Sequence, residues 1–213
     1  MKTNQRSISR LSRYRDTLLR FKSYDVQWVY SEQIASALGI TAAQVRKDFS
    51  HFGVTGKRKI GYHIDIIMAR LNRILGKNNE SRAVIAGFGP FGRVLYKEYF
   101  SREQGIRILA AFDEDRTAET RDDETGLPVL PMDRLIGFAS TSAVRFGIIA
   151  TPGASAQAVL DRMVLSGIAG ILNLSGVELK GPKSCFVNSV SVIRELQNVV
   201  FFGNGRTKTG RAA

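Results

Sequence analysis

The chain has 213 residues, 44% of them hydrophobic and 23% charged, and a formal net charge of +12; that balance excludes wholesale disorder. A single cysteine, Cys185, excludes an intrachain disulfide and a thiolate zinc cluster. No apolar run approaches the roughly 20 residues of a spanning helix, and Lys2 and Arg6 precede no apolar core of a secretory leader, so a cytoplasmic protein without membrane or metal is expected.

The charge is segregated. Residues 1–80 hold 15 Lys and Arg against 6 Asp and Glu, residues 81–205 hold 13 against 13, and residues 206–213 add three cations. A basic front joined to a neutral body predicts that the front meets a polyanion and the body a small ligand.

From Ile8, the apolar residues Leu11, Tyr14, Leu18 and Phe21 recur at spacings of three and four, which predicts a basic amphipathic helix. Ser31 is placed to cap a short helix through Ile34, Ala35 and Leu38 that stops at Gly39. Thr41 and Gln44 have the spacing of a capping box for a second helix whose inner stripe is Val45, Phe49 and Phe52. Helix, glycine turn and helix give a helix-turn-helix. Three glycines between Gly53 and Tyr62 bracket Thr55, Lys57, Arg58 and Lys59, a hairpin with a cationic tip and so a wing. Ile64, Ile67, Met68, Leu71, Ile74 and Leu75 form the stripe of a further helix ending at Gly76.

Beyond the linker 77–81, strand candidates at 83–86, 107–112, 145–150 and 170–174 alternate with helical stretches at 91–101, 132–138 and 154–166, which predicts a parallel sheet. Residues 114–127 read as an exposed loop, and the sheet is expected to be complete by about residue 175. A last helix is predicted over Val190–Phe202, before a tail rich in glycine and cations. The fold class is therefore α/β, with a winged helix-turn-helix over 1–80, a Rossmann-like parallel-sheet domain over 81–189, and a C-terminal helix and basic tail over 190–213.

Two sites follow. Candidate DNA contacts are Arg10 on the first helix, Thr41, Gln44, Arg46, Lys47 and Ser50 on the helix for the major groove, and Lys57, Arg58 and Lys59 on the wing. In the body, GFGPFG over 87–92 follows an apolar strand and precedes a helix, and Asp113 ends the next strand 21 residues after Gly92. That spacing is a dinucleotide fingerprint: Gly87 for the tight turn, Gly89 for close approach of a pyrophosphate, Gly92 for helix packing, and Asp113 for the adenosine ribose. Phe88, Pro90 and Phe91 complete the loop, and Thr151, Pro152 and Asn173 are expected to flank the nicotinamide half. Asp113 favours NAD(H), with Arg116 and Arg121 leaving NADP as the alternative. Both histidines, His51 and His63, lie in the basic front, so the body lacks the usual acid of a dehydrogenase and the nucleotide reads as a sensed ligand. Lys180 or Lys183 would be the acid of the rival, an NAD-dependent oxidoreductase with a basic arm.

The strings SRL (9–11), QVRKDFSHFG (44–53), GY (61–62), GFGPFG (87–92), FDED (112–115), GILNL (170–174) and ELQ (195–197) carry a resemblance. With them the chain resembles the Rex family of redox-sensing transcriptional repressors over nearly its whole length. The resemblance implies a homodimer on double-stranded operator DNA, with the C-terminal helix exchanged between subunits. It also implies that NADH closes the dimer and weakens DNA binding, whereas NAD⁺ leaves repression in place. Arg46 and Lys47 would touch the operator, and Gly87–Gly92 the pyrophosphate. The chain departs from the family at Asp16, commonly Arg, and at Ser191, commonly Asp, two groups whose ion pair the resemblance would make the link between DNA domain and redox state. Lys59 stands where a wing glycine is usual. A diverged regulator that uses the nucleotide structurally, or senses another ligand, is the second reading.

Overall fold

The computed structural model describes residues 5–57, 59–101 and 105–208, and the chain divides into two units, Met1–Asn79 and Glu80–Ala213. In the first unit the predicted stripe of α1 (Gln5–Ser23) is buried: Leu11, Tyr14 and Leu18 have no exposed surface. After β1 (Trp28–Val29) come α2 (Ser31–Leu38), α3 (Ala42–His51), β2 (Tyr62–His63) antiparallel to β1, and α4 (Ile64–Ile74). Phe49 of α3 sits at the centre, edge-on to Tyr14 of α1 at 5.4 Å and to Tyr62 of β2 at 5.0 Å, so one ring ties three elements together. Gly39 ends α2 with φ 64°, a left-handed position that glycine fills without strain.

Two details differ from expectation. Ser31 is the first helical residue of α2, not its cap; the cap is Tyr30, whose N–H donates to Gln33 Oε1 at 2.8 Å. Thr41 does cap α3, accepting the Gln44 N–H at 3.1 Å, but the Gln44 side chain turns inward to Asp48 instead of returning to the cap.

The second unit is a seven-stranded sheet. Its strands are β3 (Ser81–Ala86), β4 (Ile106–Asp113), β5 (Thr120–Arg121), β6 (Pro128–Pro131), β7 (Phe146–Ile149), β8 (Gly170–Asn173) and β9 (Phe186–Ser189), in the order β5-β6-β4-β3-β7-β8-β9. All neighbours are parallel except β5 and β6. The helices are α5 (Pro90–Leu95), which runs on as a π-helical turn over Tyr96–Phe100, α6 (Leu135–Thr141) and α7 (Gly153–Leu165). Val84, Ala86, Phe112, Ile149 and Ile171 face α6 and α7, and Ala83, Ile85, Ile108 and Val129 face Phe88, Tyr96 and Phe100. The chain builds β4 and β6 to one side of β3, then β7, β8 and β9 to the other. The crevice between the carboxyl ends of β3 and β7 is thus the point where strand order reverses, the place such sheets bind ligands.

The expected loop 114–127 contains β5, and β6 and β9 were not anticipated, so the sheet continues well beyond residue 175. These strands are too short for a hydrophobic period; Pro128 and Pro131 bound β6, and it is pairing with Ala111–Asp113 that defines it.

The last helix, α8, spans Val192–Lys208, beginning two residues later and ending six residues beyond the expected range. Ser191 caps it: its Oγ accepts the Arg194 N–H at 3.3 Å. Val192, Ile193, Leu196, Val199, Val200, Phe201 and Phe202 are all exposed on it.

Phe49→Ala removes a fully buried ring from the centre of the first unit. The expected loss is about 3–5 kcal/mol, read by urea unfolding followed through far-ultraviolet dichroism.

Candidate nucleic-acid and nucleotide sites

Thr41 and the outward positions Arg46, Lys47, Ser50 and His51 of α3 are exposed, because the inward positions Val45, Asp48 and Phe49 are buried against α1 and α4. No hydrogen bond or ion pair holds the Lys47 side chain among the described residues, so its charge is free. Arg46 is exposed but engaged, donating from Nη1 to Glu32 Oε1 at 2.9 Å and to Ser31 Oγ at 3.0 Å.

Two predicted contacts turn inward. Arg10 places its fork on Asp48, Nε to Oδ2 at 2.7 Å and Nη2 to Oδ1 at 2.9 Å, an ion pair that joins α1 to α3. The Gln44 amide donates to Asp48 Oδ1 at 2.9 Å, and the Tyr14 hydroxyl completes the set at 2.7 Å from Oδ2. Burial pushes the Asp48 carboxyl up, but the hydrogen bonds from Arg10 and Tyr14 and the charge of Arg10 outweigh it and hold the carboxyl below its ordinary value. Burial, reinforced by the Asp48 bond, pushes the Tyr14 phenol up. Sequence reasoning missed Asp48, although an acid in the Val45, Phe49, Phe52 stripe marked a charge the fold had to pair.

The wing closes through a bridge between Lys57 and Gly61, with Lys57 N–H to Gly61 O at 2.7 Å. The Lys57 ammonium lies 5.5 Å from the centre of the Trp28 ring. Lys59 takes φ 64°, left-handed backbone where a side chain is strained, and its carbonyl accepts the Tyr30 hydroxyl at 3.2 Å. Arg58 lies outside the described residues.

In the body, each glycine of the loop has a distinct constraint. Gly87 has φ 89°, and a Cβ there would meet the backbone of Ala150 and Thr151 at 2.7 Å, across the crevice to β7. A Cβ at Gly92 would strike the Gly87 carbonyl oxygen, so the first turn of α5 lies directly on the loop. Gly89 has neither constraint: its φ of −66° suits any residue, and a Cβ there would meet nothing within 4 Å. Its bare Cα faces open space at the start of α5, where free helix N–H groups favour an anion. Pro90 is the first residue of α5, and Phe91 is exposed beside it.

Asp113 ends β4 with its carboxylate against this turn, Oδ2 accepting the Phe88 N–H at 2.7 Å and Oδ1 the Asp115 N–H at 3.0 Å. Two acceptor positions of the carboxylate are thereby used, and its remaining lone pairs suit a ribose diol. Phe88 is buried between the sheet and Tyr96, so its side chain is core rather than ligand surface, and its N–H is taken by Asp113. Thr151, at the carboxyl end of β7, is buried with no partner for its Oγ1 among the described residues, and Pro152 is exposed beside it at the start of α7. An orphaned hydroxyl at the end of β7, next to the Gly87 turn, fits a polar ligand in the crevice. Asn173 is held within the fold: its amide donates to Val177 O at 2.7 Å and Ser189 Oγ at 2.9 Å, and its Oδ1 accepts from Ser175, so it shapes the 173–177 turn.

A winged helix with a cationic outer face and a Rossmann body with an open glycine loop define the class: a DNA-binding unit linked to a nucleotide-binding fold. Residues 4–50 match the family model described as putative DNA-binding protein N-terminus, and residues 78–177 the one described as CoA binding domain. The redox-sensing transcriptional repressor Rex of Carboxydothermus hydrogenoformans is 36% identical over 94% of this chain and 96% of its own. That of Syntrophobacter fumaroxidans is 33% identical over 92% and 93%. The crystal structure of RSP in complex with β-NAD⁺ and operator DNA superposes with a TM-score of 0.88 at 25% identity, covering 100% of both chains. The chain belongs to the Rex family of redox-sensing transcriptional repressors.

Two measurements check this geometry. The folded-state carboxyl of Asp48 is lowered, so the stability it contributes is present above its ordinary value of 3.8 and is lost as pH falls through the folded value below that. Asp48→Asn is expected to cost about 2–3 kcal/mol at pH 7 and to flatten the decline of stability below about pH 4, followed by urea titration across pH. In the body, Gly89→Val is expected to leave the thermal midpoint unchanged, whereas Gly92→Ala costs about 1–3 kcal/mol.

Proposed function

We propose that the chain is a transcriptional repressor that binds a two-fold symmetric operator as a homodimer and responds to the NADH/NAD⁺ ratio. The observation that carries this reading is the combination, in one member of the Rex family, of a free Lys47 on an exposed α3 with an open Gly89 and an orphaned Thr151 hydroxyl at the strand-order reversal.

On the DNA side, α3 presents Lys47, Arg46 and Ser50 to a major groove, and the wing offers Lys57 and Lys59 to phosphates. In the body, the α5 start and Gly89 hold a pyrophosphate and Asp113 an adenosine ribose. The nicotinamide half would lie by Thr151. Burying the neutral reduced ring costs less than burying the cationic oxidised ring, so an apolar pocket favours NADH. That preference shifts DNA binding only if the two dimer shapes bind the nucleotide differently. Dimerisation is supported by the exposed apolar face of α8 and by Phe146, Phe186 and Val190, exposed on β7 and around β9. A second copy is the natural cover for both surfaces.

The cofactor acts here as a signal and not as a reagent, since both histidines, His51 and His63, lie in the DNA-binding unit. A second reading, a regulator whose nucleotide is structural or whose ligand is different, is favoured by Asp16 and Ser191. Asp16 is exposed and lies 3.7 Å from Arg15 of its own helix, and Ser191 caps α8, so the ion pair that the resemblance implies has an anion in place of its cation and a neutral hydroxyl in place of its anion.

Isothermal titration should give tighter binding for NADH than for NAD⁺ or coenzyme A, and equal affinities exclude redox sensing. Lys47→Ala should abolish sequence-specific DNA binding while sparing NADH affinity. Lys57→Ala should reduce the salt slope of DNA binding by roughly 0.9. Steady consumption of NADH with a carbonyl substrate would mark the chain as an oxidoreductase.

A further inference from the structure

The contact between Arg46 and Glu32 is not explained by stability or by attraction to DNA. The two side chains keep 53% and 65% of their surface exposed, and an ion pair that wet contributes little to folding. Glu32 also puts an anion on the side of the helix-turn-helix that offers Arg46 and Lys47, where phosphate repels it. Yet the carboxylate is firmly placed. Its own backbone N–H, the Ser31 hydroxyl at 3.2 Å from Oε2, and Arg46 hold it, and these bonds keep it below the usual Glu value.

The geometry of the fork supplies the reason. Glu32 and Ser31 both take Nη1 of Arg46, and Nε and Nη2 carry no bond among the described residues. That free edge is the side of a guanidinium that makes a two-point contact, and a guanine presents O6 and N7 to such a fork in the major groove. The clamp therefore fixes a long side chain before DNA arrives, reducing the rotamer entropy lost on binding. It also sets a condition. On a sequence that supplies a guanine, Arg46 keeps Glu32 and gains the base. On any other sequence it reaches a phosphate only by leaving Glu32, whose charge then faces the DNA uncompensated.

We propose that Glu32 is a specificity-determining positioning residue, which aims Arg46 at a guanine and penalises duplexes that lack one. The inference rests on the proposed reading of operator DNA by α3.

The test uses the full chain. Duplexes enriched by the wild-type protein from a random library give the preferred sequence. Affinities for that duplex and for a random duplex of equal length are then measured at fixed salt for Glu32→Gln, Glu32→Asp, Arg46→Ala, Glu32→Gln with Arg46→Ala, and Lys47→Ala. Glu32→Gln is expected to bind random duplex as tightly as wild type or more so, while the ratio of specific to random affinity falls about tenfold. The double variant should discriminate no worse than Arg46→Ala alone, because Glu32 acts through Arg46, and Glu32→Asp should restore part of the ratio. A merely structural role would lower both affinities and the thermal midpoint together. An unchanged ratio in Glu32→Gln, or additive losses in the double variant, overturns the proposal and leaves the operator reading intact. If the wild type enriches no sequence, or Lys47→Ala keeps full discrimination, the operator reading fails and this inference with it.

Discussion

The first unit depends on how one acid is housed. Asp48 lies on the inner side of α3, 8% exposed in its side chain, where an unpaired carboxylate would be costly to desolvate. Arg10, Tyr14 and Gln44 converge on its two oxygens, and Arg10 and Tyr14 both belong to α1. Apolar packing alone would let α3 roll by some degrees over Leu11 and Leu18 of α1, because contacts of that kind have no direction. A forked guanidinium bond and a phenol bond to the same carboxylate do have direction. They fix the rotation of α3 and with it the outward aim of Arg46, Lys47 and Ser50.

The body meets a comparable demand with absent atoms. The Gly92 backbone rests on the Gly87 carbonyl, and Gly87 rests on the start of the β7 loop, so loop, helix and sheet are stacked with no side chain between them. Gly89 alone in that series has room to spare, and the unpaired hydroxyl of Thr151 is near the same end of the sheet. Close packing on two glycines and vacancy at the third belong to one arrangement: the loop is held rigid so that the gap keeps its shape for a ligand.

Much of this was legible in the sequence, for reasons that can be named. The stripes of α1 and α4 repeat over several turns, and glycine at 39, 76 and 87 marks backbone that other residues adopt only under strain. The glycine loop and Asp113 were readable because their spacing reflects a turn and a strand of fixed length. What escaped was settled by tertiary partners. Strands β5, β6 and β9 are two to four residues long, and neighbouring strands define them. Arg10, Gln44 and Asn173 are polar and well placed for ligands, but the partners that orient them within the fold, Asp48 for the first two and Val177 for the third, lie in other turns or elements that a sequence pattern does not show. Ser31 lost the cap of α2 to the residue before it, a one-residue difference that changes what its hydroxyl can reach.

The bare ridge of Val199, Val200, Phe201 and Phe202 on α8 has a cellular consequence. A newly made subunit carries a greasy strip that is costly to leave in water, so its survival depends on how soon it meets something to shield it. At scarce copy number the solitary form lasts longer and is prey to chaperones and proteases. Abundance of such a regulator would then fall off more steeply than its rate of synthesis, which sharpens the threshold between a repressed and an open promoter.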